Sequence, residues 1–339
     1  MSVELDLLER PITQSPKVTP VASPLLDVRD LTVDITSGGR DLRLVDGVSF
    51  LIHRGERVAL VGESGSGKSV TAQALMRLND RVRIGGHIDF EGENLVAVSP
   101  ARMTALRGRR IGMVFQDPMS SLDPMMTIGD QIAETLRIHR VSGAEAKQRA
   151  LAVLDELKVD RAAERLRAYP HEFSGGMRQR VVIAMALVGN PDLLIADEPT
   201  TALDVRVQER VLDLLDEISA NRSLAVLLIT HDMGVVAGFA DRVMVMYSGR
   251  IVEENSAVDL FAQPRHPYTR GLLDAIPRVD VTLPRLQPIP GAPPSPAERP
   301  SGCQFHPRCS RAMDVCSMVE PAPTREGAGW LRCHLYGKS

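Results

Sequence analysis

The sequence predicts an α/β protein built around a parallel β-sheet. Three apolar runs, DLLIAD (192–197), LAVLLIT (224–230) and RVMVMYSGRIVEE (242–254), alternate with stretches of helical periodicity. Strands that are apolar throughout and separated by helices are typical of a parallel sheet covered on both faces. A glycine-rich stretch at residues 62–69 lies between a strand-like run and a helical pattern, which is the setting of a phosphate-binding loop.

Length and composition narrow the classes of function. The 339 residues are enough for one large α/β domain and a smaller appendix. With 40 basic against 43 acidic residues and only 4% aromatic residues, the chain lacks the basic surplus and the stacking side chains of nucleic-acid binders. The start MSVELDLLER has no secretory pattern, and no apolar run approaches the roughly 18–20 residues that span a bilayer, so we expect a cytosolic location.

The first elements follow a polar tail. Residues 1–24 are rich in proline, serine and threonine, which predicts a flexible N-terminal segment. From residue 25 to about residue 95, β-like runs such as LLDVRDLTVDI and LRLVDGVSFLI predict strands. The patterns ARMTALRGRR, GDQIAETLRIHR and AEAKQRALAVLDELKV then predict helices.

The stretch GESGSGKS at residues 62–69 fits the pattern GxxxxGK[ST]. Its glycines allow backbone N–H groups to face phosphate oxygens, and the following helix adds positive potential. Lys68 is predicted to neutralise the β- and γ-phosphates of a nucleotide, and Ser69 to hold Mg²⁺.

Polar residues at three other strand ends complete a hydrolytic site. In LLIADEPT (193–200), Asp197 is predicted to hold Mg²⁺ through water, and Glu198 to orient or deprotonate the attacking water. Gln116, in VFQDPMSSLDP, could sense Mg²⁺ and water. His231, after LAVLLIT, could contact the γ-phosphate.

The stretch FSGGMRQR (173–180), with Ser174 and two glycines, predicts a second helix N-terminus that faces a phosphate group. One subunit binds only one γ-phosphate, so a second site of this kind predicts an ATP held between two subunits.

These stretches together resemble the nucleotide-binding subunits of ABC transporters, over roughly residues 25–255. The resemblance implies a P-loop ABC ATPase cassette at residues 25–260, with a RecA-like core, an antiparallel β-subdomain and a helical signature subdomain at about 117–185. It assigns catalysis to Glu198, His231, Gln116 and Lys68, Mg²⁺ to Ser69, Gln116 and Asp197, and the D-loop to Ala202, Leu203 and Asp204. The residues implied to contact ATP are Gly62, Glu63, Ser64, Gly65, Ser66, Gly67, Lys68, Ser69, Val70, Gln116, Ser174, Gly175, Gly176, Met177, Asp204 and His231.

Further stretches resemble the oligopeptide/dipeptide importer branch of that family, above all PRHPYTRGLLDAIPR (264–278) and the end pattern IPGAPPSP…GCQFHPRC. FSGGMRQR is similar to the D-type ATPase subunit. The resemblance implies a peripheral ATPase on the cytoplasmic face of the membrane. It implies as partners a different, F-type ATPase, two permeases and an external solute-binding protein. ATP-driven closure of the ATPase dimer, followed by hydrolysis, would power import of di- and oligopeptides. Import of nickel or another small solute, and a soluble ABC ATPase of DNA repair or translation, are the alternatives.

Two positions depart from the family pattern. Met177 occupies the place of the usual final glutamine of the signature, as is normal for the D-type subunit. No aromatic residue lies between Leu25 and Val48 to stack on adenine, so we expect apolar packing from Leu42 and Leu44.

The C-terminus gathers all four cysteines of the chain: Cys303, Cys309, Cys316 and Cys333. Residues 261–300 form an extension whose later, proline-rich part predicts a connector, and residues 301–339 a separate module. Buried thiols, disulfides, zinc and a [4Fe–4S] cluster are the alternatives. The wide spacing without CxxC favours the cluster, as does the resemblance, and His306 and His334 are expected beside the ligands or exposed. We expect the cluster to stabilise the fold of this segment, with redox sensing as the alternative. We also expect ATP binding to survive the loss of any one of the four cysteines.

Overall fold

The computed structural model describes residues 23–117, 121–200, 204–276 and 289–337. Nearly all of the predicted N-terminal tail, the D-loop residues Ala202 and Leu203, and residues 277–288 of the connector lie outside this part of the chain. The described residues divide into two compact units. The phosphate-loop unit comprises residues up to 52, 57–96 and from 230 onward, and the helical unit comprises 53–56 and 97–229.

Strands and helices follow the predicted alternation. The strands are β1 (Leu26–Ser37), β2 (Arg40–Ile52), β3 (Arg57–Val61), β4 (Val82–Phe90), β5 (Glu93–Asn94), β6 (Ile111–Val114), β7 (Leu193–Asp197), β8 (Ala225–Thr230), β9 (Arg242–Tyr247), β10 (Arg250–Ser256), β11 (Thr324–Glu326) and β12 (Gly329–Leu331). The helices are α1 (Lys68–Leu75), α2 (Pro100–Leu106), α3 (Ile128–Ile138), α4 (Gly143–Glu156), α5 (Ala162–Arg165), α6 (Gly175–Leu187), α7 (Val205–Arg222), α8 (Met233–Phe239), α9 (Ala257–Ala262), α10 (Pro267–Asp274) and α11 (Asp314–Met318). None of the helices in the described ranges is long and apolar enough to cross a membrane.

The phosphate-loop unit contains an antiparallel sheet in the order β2-β1-β4-β5. Leu26 of β1 pairs with Ile52 on one side and with Phe90 on the other. Val28, Leu31 and Val33 on β1 are buried, so one face of this sheet forms part of the core. The antiparallel β-subdomain implied by the family resemblance is this sheet.

A second group of strands in the same unit runs in the order β11-β12-β10-β9-β3. β3 and β9 are parallel, with Val58 opposite Arg242, and the remaining pairs are antiparallel. The hairpin of β11 and β12 joins β10 through the pairing of Glu253 with Leu331. Although its composition predicts a separate module, the described part of the C-terminal segment therefore belongs to the same compact unit as β3.

Aromatic packing explains why the C-terminal segment joins this unit. Phe305 packs edge-on against Tyr247 of β9, with ring centroids 5.2 Å apart, and lies 5.4 Å from the ring of Tyr268 on α10. All three side chains are buried in one apolar cluster, against which Cys303 and Cys309 also pack. Burial of large aromatic side chains is the main source of stability that this proline-rich segment has available.

The helical unit contains the parallel strands β6, β7 and β8 in adjacent positions. Ile111 pairs with Leu193, and Leu193 with Ala225. Every residue of β7 and β8 is buried, as the continuous apolar runs in the sequence predict. Serine or threonine N-caps begin the helices α3, α4 and α6, at Thr127, Ser142 and Ser174.

His266 is a buried histidine at the N-terminus of α10. Its Nδ1 accepts a hydrogen bond of 3.1 Å from the backbone N–H of Tyr268, and its ring also bonds the backbone of Arg332. Burial lowers the pKa of His266 to about 4, and the bond to Arg332 opposes this only in part. The imidazole is therefore neutral in the folded protein near neutral pH.

We expect His266 to make the protein less stable in mild acid. Because the pKa is about 4 in the folded state and about 6.5 in the unfolded state, the unfolded chain binds more protons between those values. Stability is then complete above about pH 6.5 and falls as the pH approaches about 4. Relative to a His266→Asn variant, which keeps a helix-capping side chain, the wild type should lose about 2 kcal/mol between about pH 7 and about pH 5.

Urea unfolding at several pH values measures this difference. The comparison with His266→Asn matters because neighbouring Glu253, whose pKa burial raises, titrates with the opposite sign in both proteins. Parallel stability curves for the two proteins would contradict the assignment.

Candidate functional site

The stretch 62–69 forms a loop between β3 and α1, where the sequence predicts a phosphate-binding loop. Gly67 is the N-cap of α1 and has φ 106°, in the left-handed region that favours glycine. At Gly62 a Cβ atom would lie 2.2 Å from the carbonyl oxygen of Met246 on β9, so no side chain fits there. Ser69 and Val70 follow in the first turn of α1.

Lys68 directs its ammonium group into this loop. The side chain is buried, and Nζ donates hydrogen bonds of 2.8 Å to the carbonyl oxygen of Gly62 and 3.0 Å to that of Glu63. The hydroxyl of Ser66 is buried and has no hydrogen-bond partner among the described residues. A helix N-terminus, an ammonium group and an unused hydroxyl together form a site suited to a polyphosphate.

In the helical unit, two of the predicted catalytic residues meet. Asp197, the last residue of β7, is buried, and Glu198 follows it with φ 48°. Gln116 donates from Nε2 to Oε2 of Glu198 at 3.2 Å. The backbone N–H of Glu198 also donates to the carbonyl oxygen of Ile229 at 2.8 Å. A left-handed backbone costs a non-glycine residue some energy.

The start of α6 is the other predicted phosphate contact. Ser174 caps the helix by accepting a hydrogen bond from the N–H of Met177, and both Ser174 and Gly175 are exposed. A Cβ atom at Gly176 would lie 2.6 Å from Cγ1 of Val207, so glycine is required where α6 meets α7. Asp204 caps α7 in the same way, accepting from the N–H of Val207 at 3.0 Å.

His231 follows β8 and is exposed at the start of the segment leading into α8. The predicted site residues are thus divided between the units. The phosphate-loop unit holds residues 62–70 and His231, and the helical unit holds Gln116, residues 174–177, Asp197, Glu198 and Asp204.

Leu42 and Leu44, the predicted adenine contacts, lie on β2 and are half-buried. The carbonyl oxygen of Leu44 would lie 3.3 Å from a Cβ atom at Gly67, so β2 borders the phosphate loop. That oxygen also accepts a 3.1 Å hydrogen bond from Nη2 of Arg299.

Two residues that hold the loop were not predicted as functional. The hydroxyl of Tyr268 accepts a 2.8 Å hydrogen bond from the N–H of Glu63. Arg308 donates to both carboxylate oxygens of Glu63, at 2.7 and 2.9 Å. Both residues lie in segments, HPYTR and FHPRC, that serve above only as marks of family resemblance. No sequence spacing signals these contacts, since more than 200 residues separate the partners.

The four cysteines are free thiols close to one another. The pKa of Cys303 is raised to about 11, chiefly by burial and to a smaller extent by the neighbouring Cys316, Cys333 and Cys309. The backbone N–H of Cys303 donates to the carbonyl oxygen of Cys316 at 2.8 Å. In the described part of the chain, no three Cys, His, Asp or Glu side chains are grouped as ligands of a single metal ion.

The histidines of this segment bond backbone carbonyl groups. The His306 ring contacts the carbonyl oxygen of Cys303 at 2.9 Å, and the His334 ring contacts that of Val319 at 2.8 Å.

Two family models match the chain. The model of the ABC transporter family matches residues 45–201, which include the phosphate loop, the signature stretch and both carboxylates. The model described as the C-terminal region of oligopeptide/dipeptide transporters matches residues 252–316, which include Tyr268 and Arg308.

Curated proteins match over nearly the whole length. A putative peptide import ATP-binding protein of Brucella abortus is 48% identical over 314 residues, covering 92% of this chain and 95% of the relative. The oligopeptide transport ATP-binding protein OppD of Escherichia coli is 48% identical, covering 88% and 90% respectively. The dipeptide transport ATP-binding protein DppD of Bacillus subtilis is 47% identical, covering 92% and 94%.

Solved structures of ATP-binding cassettes share the fold. A dimeric bacterial ABC transporter cassette aligns with a TM-score of 0.61 and 29% identity, over 68% of this chain and 98% of that one. The CbiO1 protein of Clostridium perfringens, described as part of an ABC transporter complex, aligns with a TM-score of 0.63 and 26% identity, over 71% of this chain and 92% of that one.

Proposed function

Because this chain belongs to the ABC transporter ATP-binding family, in the branch of the oligopeptide and dipeptide transport ATP-binding proteins, we propose that it hydrolyses ATP to power the import of di- and oligopeptides. The observation that carries the proposal is the position of Lys68, whose ammonium group is held inside the 62–69 loop by two carbonyl oxygens. A phosphate group entering the loop would exchange these contacts for a stronger ion pair.

We assign hydrolysis to the residues for which the family resemblance implies a catalytic or Mg²⁺-binding role. Ser69 and Asp197 would hold Mg²⁺, with Gln116 as a further contact to the ion or its water, and His231 would contact the γ-phosphate. Glu198 would accept the proton of the attacking water, and its bond to Gln116 orients the carboxylate for this step.

We propose that ATP binds between two cassettes. Ser174 and Gly175 are exposed at the start of α6, and would offer a helix N-terminus to the γ-phosphate of the other subunit. The similarity to D-type subunits favours a heterodimer with an F-type ATPase. Residues 174–177 and Asp204 would then contact the nucleotide bound by that partner.

We propose the remaining partners from the similarity to the oligopeptide and dipeptide importer branch. Two permeases and an external solute-binding protein would complete the importer, and this subunit would bind the permeases at the cytoplasmic face of the membrane. The relatives are named for peptides, oligopeptides and dipeptides, which favours these substrates over nickel or another small solute. The same similarity disfavours a soluble ATPase of DNA repair or translation.

We further propose a [4Fe–4S] cluster held by Cys303, Cys309, Cys316 and Cys333. Burial raises the pKa of Cys303, Cys309 and Cys333, and neighbouring thiols add to these shifts, as expected where the four sulfur atoms lie near one another. Backbone N–H groups of Arg311 and Met313 point at Sγ of Cys309 and Cys316, at 3.4 and 3.5 Å, as expected around cluster thiolates. When bound, the cluster would crosslink the segments that carry the four thiols, either as a staple or as a redox sensor.

Replacing Glu198 by glutamine should separate ATP binding from hydrolysis. The amide keeps the shape and the hydrogen bond to Gln116 but cannot accept a proton, so ATPase turnover should fall at least about 100-fold. Affinity for ATP should stay within about twofold, because the phosphate loop is untouched. A phosphate-release assay and equilibrium ATP binding measure the two quantities.

The matched control is Glu134→Gln, at an exposed glutamate on α3 of the same unit. This variant should hydrolyse ATP at the wild-type rate. Undiminished turnover in Glu198→Gln would remove Glu198 from the catalytic role.

Metal analysis of protein purified without oxygen tests the cluster. Iron and acid-labile sulfide should each approach about four per chain, with little zinc. Cys309→Ala should lose most of the iron, because one corner of the cluster then lacks its ligand. The control variant Ser310→Ala, at a neighbouring residue that is not a cysteine, should keep its iron. Stoichiometric zinc without iron would reject the cluster.

A further inference from the structure

Glu63, the second residue of the phosphate loop, is held on three sides. Its carbonyl oxygen accepts a hydrogen bond from Nζ of Lys68, its N–H donates to the hydroxyl of Tyr268, and its carboxylate forms a two-bond ion pair with Arg308. Two of these three contacts come from residues C-terminal to the cassette core. A displacement of Glu63 would therefore move an acceptor that positions Lys68.

Arg308 is built into the fold more tightly than a surface arginine. Only 5% of its side chain is exposed, and Nε donates to the carbonyl oxygen of Pro290 at 2.8 Å. Nη2 lies 3.3 Å from the carbonyl oxygen of Gly291, and the guanidinium lies 5.8 Å from the ring centroid of Tyr247. These contacts fix the plane of the guanidinium, so that its two terminal nitrogen atoms, Nη1 and Nη2, face Glu63.

The ion pair of Arg308 with Glu63 also changes the electrostatic environment of the proposed ligand, ATP. Glu63 places a carboxylate, 28% exposed, in a loop whose proposed ligand is a polyanion. An unpaired carboxylate there would repel the phosphates, and the paired guanidinium cancels that repulsion. The arginine lies on a short 3-10 helix, His306–Arg308, directly before Cys309, so its position depends on the folding of the cysteine-containing segment.

We propose that Arg308 is a positioning residue for ATP, which acts through Glu63 on the phosphate loop. Through this residue the C-terminal segment contributes to ATP affinity, although it lies outside the phosphate-loop motif at residues 62–69. The inference rests on the proposed binding of ATP by residues 62–69. From the sequence alone, the cysteine-containing segment and the ATP site are expected to be independent, whereas this proposal couples them through Arg308 and Glu63.

Equilibrium binding of ATP, without Mg²⁺, to the full-length chain tests the proposal. Arg308→Ala should raise the Kd for ATP about tenfold, and Arg308→Lys less, because one ammonium restores the charge but not the two-bond geometry. The double variant Arg308→Ala/Glu63→Gln should bind ATP more tightly than Arg308→Ala but less tightly than the wild type, since it removes the repelling carboxylate but still lacks the contact that positions residue 63. In hydrolysis assays, KM for ATP should rise in Arg308→Ala more than kcat falls.

The matched control is Arg325→Ala, at an exposed arginine on β11 of the same segment, which should bind like the wild type. Thermal unfolding checks that each variant is folded, and Arg308→Lys carries the test if Arg308→Ala does not fold. An unchanged Kd in a folded Arg308→Ala, a double variant as weak as the single one, or equal weakening by Arg325→Ala would overturn the proposal. Failure of ATP binding itself would show differently: the wild type would bind no better than Lys68→Ala.

Discussion

The phosphate loop depends on contacts that fix Glu63 between the cassette core and the C-terminal segment. A loop of glycine and serine residues has many conformations, and only a few of them direct the ammonium of Lys68 and the start of α1 at one point. Steric contact with β9 at Gly62, the hydroxyl of Tyr268 and the guanidinium of Arg308 restrict those conformations before any ligand binds. Such preorganisation raises affinity because less ordering is left for the binding step.

The same contacts explain how an irregular, proline-rich segment can fold. It has little apolar surface of its own, but it packs Phe305 against both Tyr247 and Tyr268 and adds the β11–β12 hairpin to β10. The segment is therefore stabilised by packing against the core of the phosphate-loop unit. Cys303 and Cys309 pack against this aromatic cluster, and the four thiols would add a covalent crosslink if they hold iron and sulfide.

Local sequence patterns predicted much of this molecule. The apolar runs gave β7 and β8, the glycine pattern gave the loop before α1, and the strand-end residues Gln116 and Glu198 do meet. Three features could not be predicted in this way. Pairing of β12 with β10, the ion pair of Arg308 with Glu63 and the contact of Tyr268 all join residues that are distant in sequence, and nothing in the spacing of the chain encodes them. The composition of residues 301–339 pointed instead to independence, because a short segment rich in polar residues does not reveal which core it will complete.

The central claim is that the phosphate loop and the cysteine-containing segment respond to ATP as one structure. Hydrogen–deuterium exchange of the full-length chain, with and without ATP, tests it most directly. The account predicts that ATP slows exchange both at residues 62–70 and at residues 302–309, where the N–H groups of His306, Arg308 and Cys309 bond carbonyl oxygens of the turn that carries Arg308. Slower exchange at residues 62–70, with no change at residues 302–309, would contradict it.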